Sequence, residues 1–487
     1  MEITSLKPEG IFHYFNEICK VPRPSKKEEK ILAYLKDFAE SHQLEYLQDK
    51  IGNLLIKKKA TPGKENLKTV ILQSHIDMVC EKNRDVQHDF EKDPIIPIVD
   101  GDWLKAKGTT LGADNGIGVA TQLALLASNE IEHGPIECLF TVDEETALTG
   151  AFHIEKNFLS GDILLNLDSE DEGELFIGCA GGIDSIATYN YEEIEIPKNY
   201  FFFKVEVKGL KGGHSGADIH LGRGNANKIL NRFLSQSLEK HDLYICEIEG
   251  GNLRNAIPRE AHAICAIPND ENKHNIRAEL NIFISEIEDE LGVIEPDFTM
   301  TLESVSKQEK AIDRTTVSNL VKSLYAVHHG VYSMSQDIEG LVETSTNLAS
   351  IKMIDGYKIK VETSQRSSIT SSRDDMAKTV RSTFELGGAE VTHRSAYPGW
   401  KPNPHSPILE IAKESYLRLF GKEAEVKAIH AGLECGLFLD KYPQLDMISF
   451  GPTMRGVHSP DERLHIPSVN LFWKHLLDIL VHISEKN

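Results

Sequence analysis

The fold class is decided by three consecutive stretches of the chain, KTVILQS (68–74), TTLGADNGIGVATQLALLASN (109–129) and IECLFTV (136–142). The first and the third are short apolar runs that indicate buried strands, whereas apolar residues of the second recur at helical spacing from Ile117 onward. Two further strand-like runs, NLLIKK (53–58) and DILLNLD (162–168), flank the pattern. Strands that alternate with helices are typical of α/β proteins. We therefore predict a mixed, largely parallel sheet with helices on both faces.

The pattern changes near residue 185. Runs that alternate in the manner of antiparallel strands follow, at IATYNYEEIEI (186–196), FFFKVEVKG (201–209) and AHAICAIP (261–268). Helical stretches are interleaved with them, and the α/β pattern returns after residue 393. We predict one domain in two parts, residues 1–184 and 394–487, interrupted by an inserted α+β domain at residues 185–393.

Composition excludes several classes of partner. A chain of 487 residues is too long for one ordinary core, which agrees with two domains. The formal net charge of -22 argues against a nucleic-acid partner, because phosphates are neutralised by clustered Lys and Arg. The chain contains no run near the roughly 18 consecutive apolar residues that a membrane span needs. We expect neither a nucleic acid nor a membrane as a partner.

The cysteines and the N-terminus predict a cytoplasmic protein. Seven cysteines form no CxxC pair, and an odd count favours reduced thiols over a disulfide framework or a thiolate zinc site. The first twenty residues lack a basic segment followed by an apolar core, so we expect no secretory signal.

Imidazole and carboxylate side chains follow the predicted strands one after another. They are His75 and Asp77, Asp114 at the entry to the predicted helix, Asp143, Glu144 and Glu145, Asp168, and His458. In open parallel sheets, ligands bind outside the carboxyl ends of the strands, so these side chains can meet. The set contains no thiolate, which suits a catalytic zinc or another borderline divalent ion. It is large enough for two ions that share a bridging carboxylate.

Each of these features is weak when taken alone. The chain has 20 histidines, most of which we expect at the surface or in ordinary hydrogen bonds. GADNG (112–116) also reads as a turn and helix cap, and TVDEET (141–146) also reads as a solvated acidic tip. SEDEGE (169–174) does not match the register of a calcium loop. The prediction depends on five such features that recur at strand ends.

Several motifs resemble those of the aminoacyl-histidine dipeptidases, also called peptidase D or cytosol non-specific dipeptidases. This family belongs to the zinc dipeptidase and carboxypeptidase superfamily. The motifs are SHIDMVCE (74–81), GTTLGADNGIGVA (108–120), FTVDEETALTGA (140–151), LLNLDSE (164–170) and GVHSPDERL (456–464). The resemblance continues through VKGLKGGHSGADIHLGRGNANK (207–228), EGGNLRNAIPREA (249–261), VETSTNLAS (342–350), SQRSS (364–368) and HAGLECG (430–436). It therefore covers nearly the whole chain.

The resemblance implies two zinc ions, for which Mn²⁺ or Co²⁺ can substitute. One zinc would be bound by His75, Asp114 and Asp168. The other would be bound by Asp114, Glu145 and His458, with Asp114 as the bridge. Asp77 would hold the His75 ring through its other nitrogen. Glu144 would be the general base, whereas Asp143 would serve the turn.

The resemblance also implies partners for the three polar groups of a dipeptide. Arg366 would bind the terminal carboxylate bidentately, and His214 would stabilise the oxyanion, in its own subunit or across a dimer. Glu434 would receive the free amino group. Asn255 and Thr346 are weaker substrate-binding candidates. The inserted domain would act as a lid and form a homodimer, with domain closure completing the site.

Competing functions fit the residues less well. LGADNGIGVA (111–120) does not have the GxGxxG spacing of a dinucleotide-binding oxidoreductase, and GGHSGA (212–217) does not give the GxSxG of a serine hydrolase. A non-catalytic peptide-binding or metal-binding protein stays possible, since a fold does not dictate chemistry. Within the hydrolases, the alternative is an aminoacylase or a tripeptidase. The interpretation that we carry forward is a two-zinc dipeptidase that favours Xaa-His.

Overall fold

The computed structural model describes residues 3–268 and 272–486, and the chain forms two compact units. The first unit consists of Met1–Gly178, Pro402–Ala428 and Leu433–Asn487, and the second of Cys179–Lys401 and Ile429–Gly432. The boundaries that we placed at 184/185 and 393/394 fall inside two strands of the second unit, Gly181–Asn190 and Glu390–Tyr397. A change in the hydrophobic pattern shows the region in which the chain enters a new domain, but it does not identify the first residue of the strand there.

The first unit contains both helices and strands. Its helices are Glu9–Cys19, Glu29–Ser41, Ala113–Ala127, Glu144–Ala147, Thr149–His153, Pro407–Phe420, Glu434–Lys441, Ile466–Val481 and the 3₁₀ helix Ile3–Ser5. Its strands are Glu45–Gln48, Leu54–Lys58, Val70–His75, Pro97–Asp100, Trp103–Ala106, Ile136–Thr141, Ile163–Asn166, Glu174–Cys179, Glu425–Ile429, Asp446–Ser449, Met454–Arg455 and Arg463–His465.

An eight-stranded mixed sheet forms the centre of the first unit. Its strand order is Glu45–Gln48, Leu54–Lys58, Ile136–Thr141, Val70–His75, Ile163–Asn166, Asp446–Ser449, Glu174–Cys179, Glu425–Ile429. The four central strands are parallel, with Val70 opposite both Ile136 and Ile163, and Asp446 opposite Ile163. The neighbours that flank these four strands pair antiparallel. The predicted α/β class with a mixed, largely parallel sheet is confirmed.

Burial of both faces explains why the central strands lack the apolar–polar alternation of half-exposed strands. Every residue of Val70–His75 and of Ile136–Thr141 is buried, as expected for strands whose two faces are both covered. The helix predicted from the spacing after Ile117 is confirmed as Ala113–Ala127, and it packs against Glu9–Cys19. This helix begins after Gly112, whose φ of 70° is a left-handed conformation that favours glycine.

The second unit is an α+β fold. Its strands are Gly181–Asn190, Glu193–Glu195, Tyr200–Lys208, Gly213–His214, Tyr244–Gly250, Ala256–Ile257, Ala261–Pro268, Thr299–Ser304, Lys310–Ile312, Gly330–Met334, Val342–Ile354, Lys358–Ser367 and Glu390–Tyr397. Its helices are Ala226–Lys240, Asn272–Leu291, Arg314–Ala326, Thr370–Leu386 and the 3₁₀ helix Ile219–Leu221.

The large sheet of the second unit is antiparallel, as the alternating runs predicted. Val342–Ile354 and Lys358–Ser367 form its longest hairpin, and Lys358–Ser367 also pairs with Gly181–Asn190. The helices Ala226–Lys240 and Thr370–Leu386 pack on this sheet through a core that includes Phe203, Phe233 and Phe384. In the part of the chain that the structure describes, none of the helices has the length and apolar content needed to cross a membrane.

One buried histidine of the first unit makes folding sensitive to acid. His475 lies on the helix Ile466–Val481 at 4% exposure, and its Nε2–H donates to the Ala412 carbonyl at 2.8 Å. Burial lowers the pKa of His475 to about 4. The unfolded chain therefore binds a proton between pH 6.5 and 4 that the folded chain does not bind, so stability falls as the pH falls through this window.

We expect His475→Gln to remove this acid-dependent loss, which amounts to about 3 kcal/mol between pH 7.5 and 4. The measurement is the free energy of unfolding by urea, in the presence of a chelator, for the wild type and the variant across that range. At pH 7.5 the two proteins should differ only by the altered hydrogen bond and by the lost packing of the ring on Tyr416 and Phe450. A difference between the two curves that stays constant with pH would contradict the prediction.

Candidate metal centre

Parallel strands deliver three of the predicted ligands to one edge of the first sheet. His75 is the last residue of Val70–His75, and Glu145 stands in the turn after Ile136–Thr141. Asp168 follows the third strand, Ile163–Asn166, by two residues. Because these three strands are parallel neighbours, their carboxyl ends meet.

Asp114 lies between two imidazoles. Its Oδ1 is 3.1 Å from Nε2 of His75, and its Oδ2 is 3.1 Å from Nε2 of His458. Asp168 approaches the same nitrogen of His75 at 3.4 Å, and Glu145 approaches the same nitrogen of His458 at 3.0 Å. The structure thus brings all five predicted ligands together. His75 and Asp168 lie on the side of Asp114 Oδ1, and His458 and Glu145 lie on the side of Oδ2.

Buried charge makes this cluster suitable for cations. The side chains of His75, Asp114, Glu145 and Asp168 are each at most 13% exposed. Within residues 3–268 and 272–486, no Lys or Arg forms an ion pair with the three carboxylates. One oxygen of Glu145, Oε1, is buried and has no hydrogen-bond partner in the described part of the chain. Three buried carboxylates and two imidazoles are the donor set that borderline divalent ions prefer, so the residues fit a metal centre.

Burial and the close approach of several charges also shift the pKa values of the side chains in this cluster. Burial raises the pKa of Asp168 to about 6; the charges of Asp114 and Glu145 add to this effect, and His75 opposes it. Burial acts in the same direction on Asp114, but hydrogen bonds from His458 and His75 hold the pKa of Asp114 well below its usual range. Hydrogen bonds to Asp114 and Glu145 raise the pKa of His458 to about 11.

Asp77 connects the His75 strand to the turn that carries Glu144 and Glu145. Its Oδ1 accepts the backbone N–H of Glu144 at 3.0 Å, and its Oδ2 accepts that of Glu145 at 3.2 Å. Ser25 donates its hydroxyl to Oδ2 at 2.8 Å, and Nδ1 of His75 lies 3.4 Å from Oδ1. Nδ1 of His75 also donates to the backbone carbonyl of Asp77 at 3.2 Å, so Asp77 lies beside the second nitrogen of His75 and fixes two backbone amides that the sequence did not reveal.

Glu144 begins the short helix Glu144–Ala147 beside the cluster. Burial raises the pKa of Glu144 well above its usual range; the charges of Asp168 and Glu434 add to this effect, whereas His75 opposes it. Asp143 precedes it in a left-handed conformation with a φ of 50°. The Asp143 carboxylate accepts the hydroxyl groups of Thr146 and Thr149. The prediction that Asp143 serves the turn is confirmed.

Glu434 is a buried carboxyl in the first unit, at 1% exposure. Its Oε2 accepts hydrogen bonds from Nε2 of Gln73 at 2.5 Å and Oγ1 of Thr141 at 3.0 Å, whereas its Oε1 is buried without a hydrogen-bond partner among the residues that the structure describes. Burial raises the pKa of Glu434 to about 8, with the charge of Asp168 adding to the shift. A buried carboxyl with one unpaired oxygen is able to receive a cationic group.

The remaining predicted site residues lie in the second unit. Arg366 is 8% exposed, donates from Nη1 to the Tyr397 hydroxyl at 3.1 Å and lies 3.4 Å from Ser215 Oγ. Among the residues whose structure is described, no acidic side chain forms an ion pair with it. A buried guanidinium that lacks a carboxylate partner is suited to an anionic ligand.

His214 has the hydrogen bonds of a neutral imidazole. Its Nδ1 accepts the backbone N–H groups of Gly216 at 3.3 Å and Ala217 at 3.0 Å, which leaves the ring proton on Nε2. Burial and the neighbouring Arg366 guanidinium lower the pKa of His214 to about 4. At neutral pH the ring is therefore an uncharged donor through Nε2–H.

The two weaker candidates of the second unit differ in exposure. Asn255 is exposed, and its backbone carbonyl accepts the N–H of Ser215 at 2.8 Å. Thr346 is fully buried, and its hydroxyl oxygen accepts Nε2 of Gln365 at 3.1 Å. That position favours a role of Thr346 in the sheet, and its substrate contact stays a prediction.

Sequence reasoning missed several buried charges that hold the loops of the metal cluster. Arg23 donates to the carbonyl groups of Ile76 at 3.2 Å, Asp77 at 3.1 Å and Gly112 at 2.5 Å, and so connects two loops. Glu28 accepts the N–H of Asp143 at 3.0 Å. Their partners are backbone groups, which every residue has, so the sequence around them carries no signal of these contacts.

Comparison with known proteins places the chain in a family. The model of the family described as Peptidase family M20/M25/M40 matches residues 71–481. The cytosol non-specific dipeptidase of Escherichia coli is 44% identical over 485 residues, which span 100% of both chains. The chain therefore belongs to the peptidase family M20/M25/M40, and it is an enzyme of the peptidase class.

Solved structures support the same assignment. The aminoacylhistidine dipeptidase of Vibrio alginolyticus superposes with a TM-score of 0.93 at 47% identity, covering 100% of this chain and 99% of that chain. The aminopeptidase PepT of Bacillus cereus, at 15% identity and a TM-score of 0.62, covers 99% of this chain and 100% of its own, and it shares the fold. The resemblance to the aminoacyl-histidine dipeptidases that the motifs indicated is confirmed.

The contacts of Asp77 generate a prediction. Asp77→Asn replaces one acceptor oxygen by an NH₂ group, so the N–H of Glu144 or Glu145 loses its partner at a cost of about 1–3 kcal/mol. We expect faster hydrogen exchange at these two amides and a lower melting temperature, measured by mass spectrometry and calorimetry.

Asp49→Asn is the matched control for this substitution. Oδ1 of Asp49 likewise accepts two backbone N–H groups, those of Gly52 and Asn53, but in a loop without predicted ligands. That variant should leave exchange at residues 144 and 145 unchanged. Equal exchange at these amides in wild type and Asp77→Asn would refute the anchoring role.

Proposed function

We propose that the chain is a dinuclear zinc dipeptidase that hydrolyses unblocked dipeptides and favours Xaa-His. The observation that carries the proposal is Asp114, whose two oxygens each face a separate imidazole at 3.1 Å. The likeness to relatives that are named dipeptidases supports the substrate class.

One zinc would be held by His75, Asp114 and Asp168, and the other by Asp114, Glu145 and His458. Mn²⁺ or Co²⁺ would be able to replace zinc, because imidazole and carboxylate ligands bind these ions as well. When bound, the ions supply Lewis acidity for the scissile carbonyl and a water whose pKa lies at about 7.

Glu144 acts as the general base and then as the general acid. Its carboxylate takes a proton from the attacking water and gives it to the departing amine nitrogen when the C–N bond breaks. Its place next to Glu145 in one turn supports this role, since Asp77 holds the backbone N–H groups of both residues. Asp77 also keeps the imidazole of His75 in one orientation through its contact with Nδ1.

The substrate's own polar groups would bind to residues with complementary charge. Arg366 is buried, has no acidic partner among the described residues, and would bind the terminal carboxylate. His214 would donate from Nε2–H to the oxyanion, which its neutral state allows. Glu434, whose pKa burial raises to about 8, would be ionised beside the free ammonium and would bind it through Oε1. Asn255 and Thr346 are further candidates for substrate contact.

We also propose roles for the two units. The first, predicted at residues 1–184 and 394–487, would be the catalytic domain, and the second, predicted at 185–393, would be a lid and dimerisation domain. The protein would act as a homodimer on dipeptides. The cytoplasm is the location that fits the proposal, since the Escherichia coli relative is named a cytosol dipeptidase.

The role of Glu144 predicts that turnover and metal content separate. Glu144→Gln should lower kcat by about 10²–10⁴-fold, since the proton carrier is lost, while two zinc ions per chain remain in elemental analysis. Glu155→Gln, a change of an exposed carboxylate in the same unit, should leave both values unchanged. Loss of zinc together with activity in Glu144→Gln would assign this residue to metal binding instead.

Capture of both substrate termini predicts a narrow substrate range. We expect zinc-dependent hydrolysis of Leu-His, but not of its N-acetylated form or of Leu-Leu-His, because Glu434 binds the free amine and Arg366 the carboxylate. The three peptides would be assayed before chelation, after chelation and after zinc is restored.

Other outcomes of this assay would change the proposal in distinct ways. Cleavage mainly of the acetylated peptide would keep the metal centre but make the protein an aminoacylase, so Glu434 would lose its role. Cleavage mainly of Leu-Leu-His would make it a tripeptidase. Chelator-insensitive hydrolysis would refute the metal-dependent mechanism. No cleavage of any of the three would favour a narrower substrate or a non-catalytic binding protein.

A further inference from the structure

Glu462 is a buried carboxylate that accepts four consecutive backbone N–H groups. Its Oε2 accepts those of Leu111 at 2.7 Å and Gly112 at 3.0 Å. Its Oε1 accepts those of Ala113 at 2.7 Å and Asp114 at 3.3 Å. Glu462 is 2% exposed, and in residues 3–268 and 272–486 it forms no ion pair with Lys, Arg or His.

The four amides belong to the start of the helix Ala113–Ala127. The first N–H groups of a helix have no partner within the helix, and they carry partial positive charge. The residue that precedes this helix, Gly112, makes no side-chain cap, and the backbone at Asp114 departs from helical geometry. Glu462 therefore supplies both the acceptors and the negative charge that this helix start lacks.

Glu462 also lies on the segment that supplies His458. Its own N–H donates to the Ser459 carbonyl at 3.0 Å, so a turn sets its position relative to His458. The strand Arg463–His465 follows directly and pairs with Trp103–Ala106. One short segment of the chain thus carries a predicted ligand and, four residues later, the carboxylate that binds the backbone of Asp114.

Asp77 accepts a pair of backbone N–H groups beside the cluster, and the buried carboxylates Glu137 and Glu295 do so away from it. Glu137 binds those of Ser160 and Gly161, and Glu295 binds those of Lys211 and Gly224. Neither pair includes a predicted metal ligand or a neighbour of one in the chain. Glu462 differs, because one of its four amides is that of Asp114, the carboxylate that faces both imidazoles.

We propose that Glu462 is a positioning residue of the metal centre, which holds the backbone of Asp114 so that its two oxygens face His75 and His458. This inference rests on the proposed metal centre. By the same contacts, Glu462 connects the segment that carries His458 to the segment that carries Asp114. The metal centre that uses both residues therefore depends on the Glu462 carboxylate.

The amide analogue separates this role from simple space filling. Glu462→Gln keeps the size of the side chain but replaces one acceptor oxygen by an NH₂ donor. That NH₂ group faces two N–H groups whichever way the amide is turned, so half of the contacts are lost. Glu462→Asp keeps both carboxylate oxygens, but its side chain is one methylene shorter, so the oxygens lie farther from the amides at the helix start. Glu137→Gln is the matched control, since it alters a buried amide-binding carboxylate of the same unit.

The first measurement is the zinc affinity of the full chain, determined by competition with a chromogenic chelator. We expect Glu462→Gln to bind zinc about 10–100-fold more weakly than the wild type, the usual effect of losing a group that orients a metal ligand. Glu137→Gln should bind zinc as the wild type does. Equal affinity in wild type and Glu462→Gln, or an equal loss in Glu462→Gln and Glu137→Gln, would overturn the proposal.

The second measurement is hydrogen exchange at residues 111–114 in the metal-free protein. Exchange should be faster in Glu462→Gln and unchanged in Glu137→Gln, and unchanged exchange in Glu462→Gln would overturn the anchoring contact. If the wild type binds no zinc, the proposed function is wrong. The exchange measurement would still show whether Glu462 holds the amides of residues 111–114. If Glu462→Gln does not fold, Glu462→Asp is measured instead, with the same expected directions and the same contradicting results.

Discussion

The carboxylate of Asp114 lies between two imidazoles that the chain supplies from distant positions, His75 and His458. Asp168 and Glu145 stand beside them, so three carboxylates that are at most 13% exposed meet the buried His75 and the half-exposed His458. Negative charge of this density is costly away from water unless it is paired. The sheet, the helix start and the neighbouring turns are arranged so that this charge is concentrated at one edge, which is the condition for binding divalent ions.

Carboxylates that bind backbone amides keep this arrangement in place. Asp77 accepts the N–H groups of Glu144 and Glu145, Glu28 accepts that of Asp143, and Glu462 accepts those at the start of the helix Ala113–Ala127. Each contact joins a charged side chain to the main chain of a loop that carries a predicted ligand or the predicted base. The geometry of the cluster is therefore imposed on the backbone, and it does not depend on the side-chain rotamers alone.

The second unit displays the opposite electrostatic character at its candidate residues. Arg366 is a buried cation that has no carboxylate partner within residues 3–268 and 272–486, and together with burial it lowers the pKa of its neighbour His214. His430, which the sequence did not single out, is buried beside them, and its Nε2 lies 2.7 Å from the Ser345 hydroxyl. Burial and the Arg366 charge lower the pKa of His430 to about 3, so both rings are neutral at physiological pH. These groups suit an anionic ligand, as the cluster of the first unit suits cations.

The sequence by itself determined the fold class and placed eight imidazole and carboxylate candidates at strand ends, from which the family resemblance selected the five predicted ligands. Period and burial pattern identify strands such as Val70–His75, and the ends of parallel neighbours must meet, so polar residues placed just after them predict a common site. Tertiary structure alone decided the contacts of Arg23, Glu28 and Glu462, and it also placed Thr346 inside a sheet. The physical reason is that these contacts use backbone N–H and C=O groups, which every residue has. Only the folded path of the chain determines which of them a buried charge will reach.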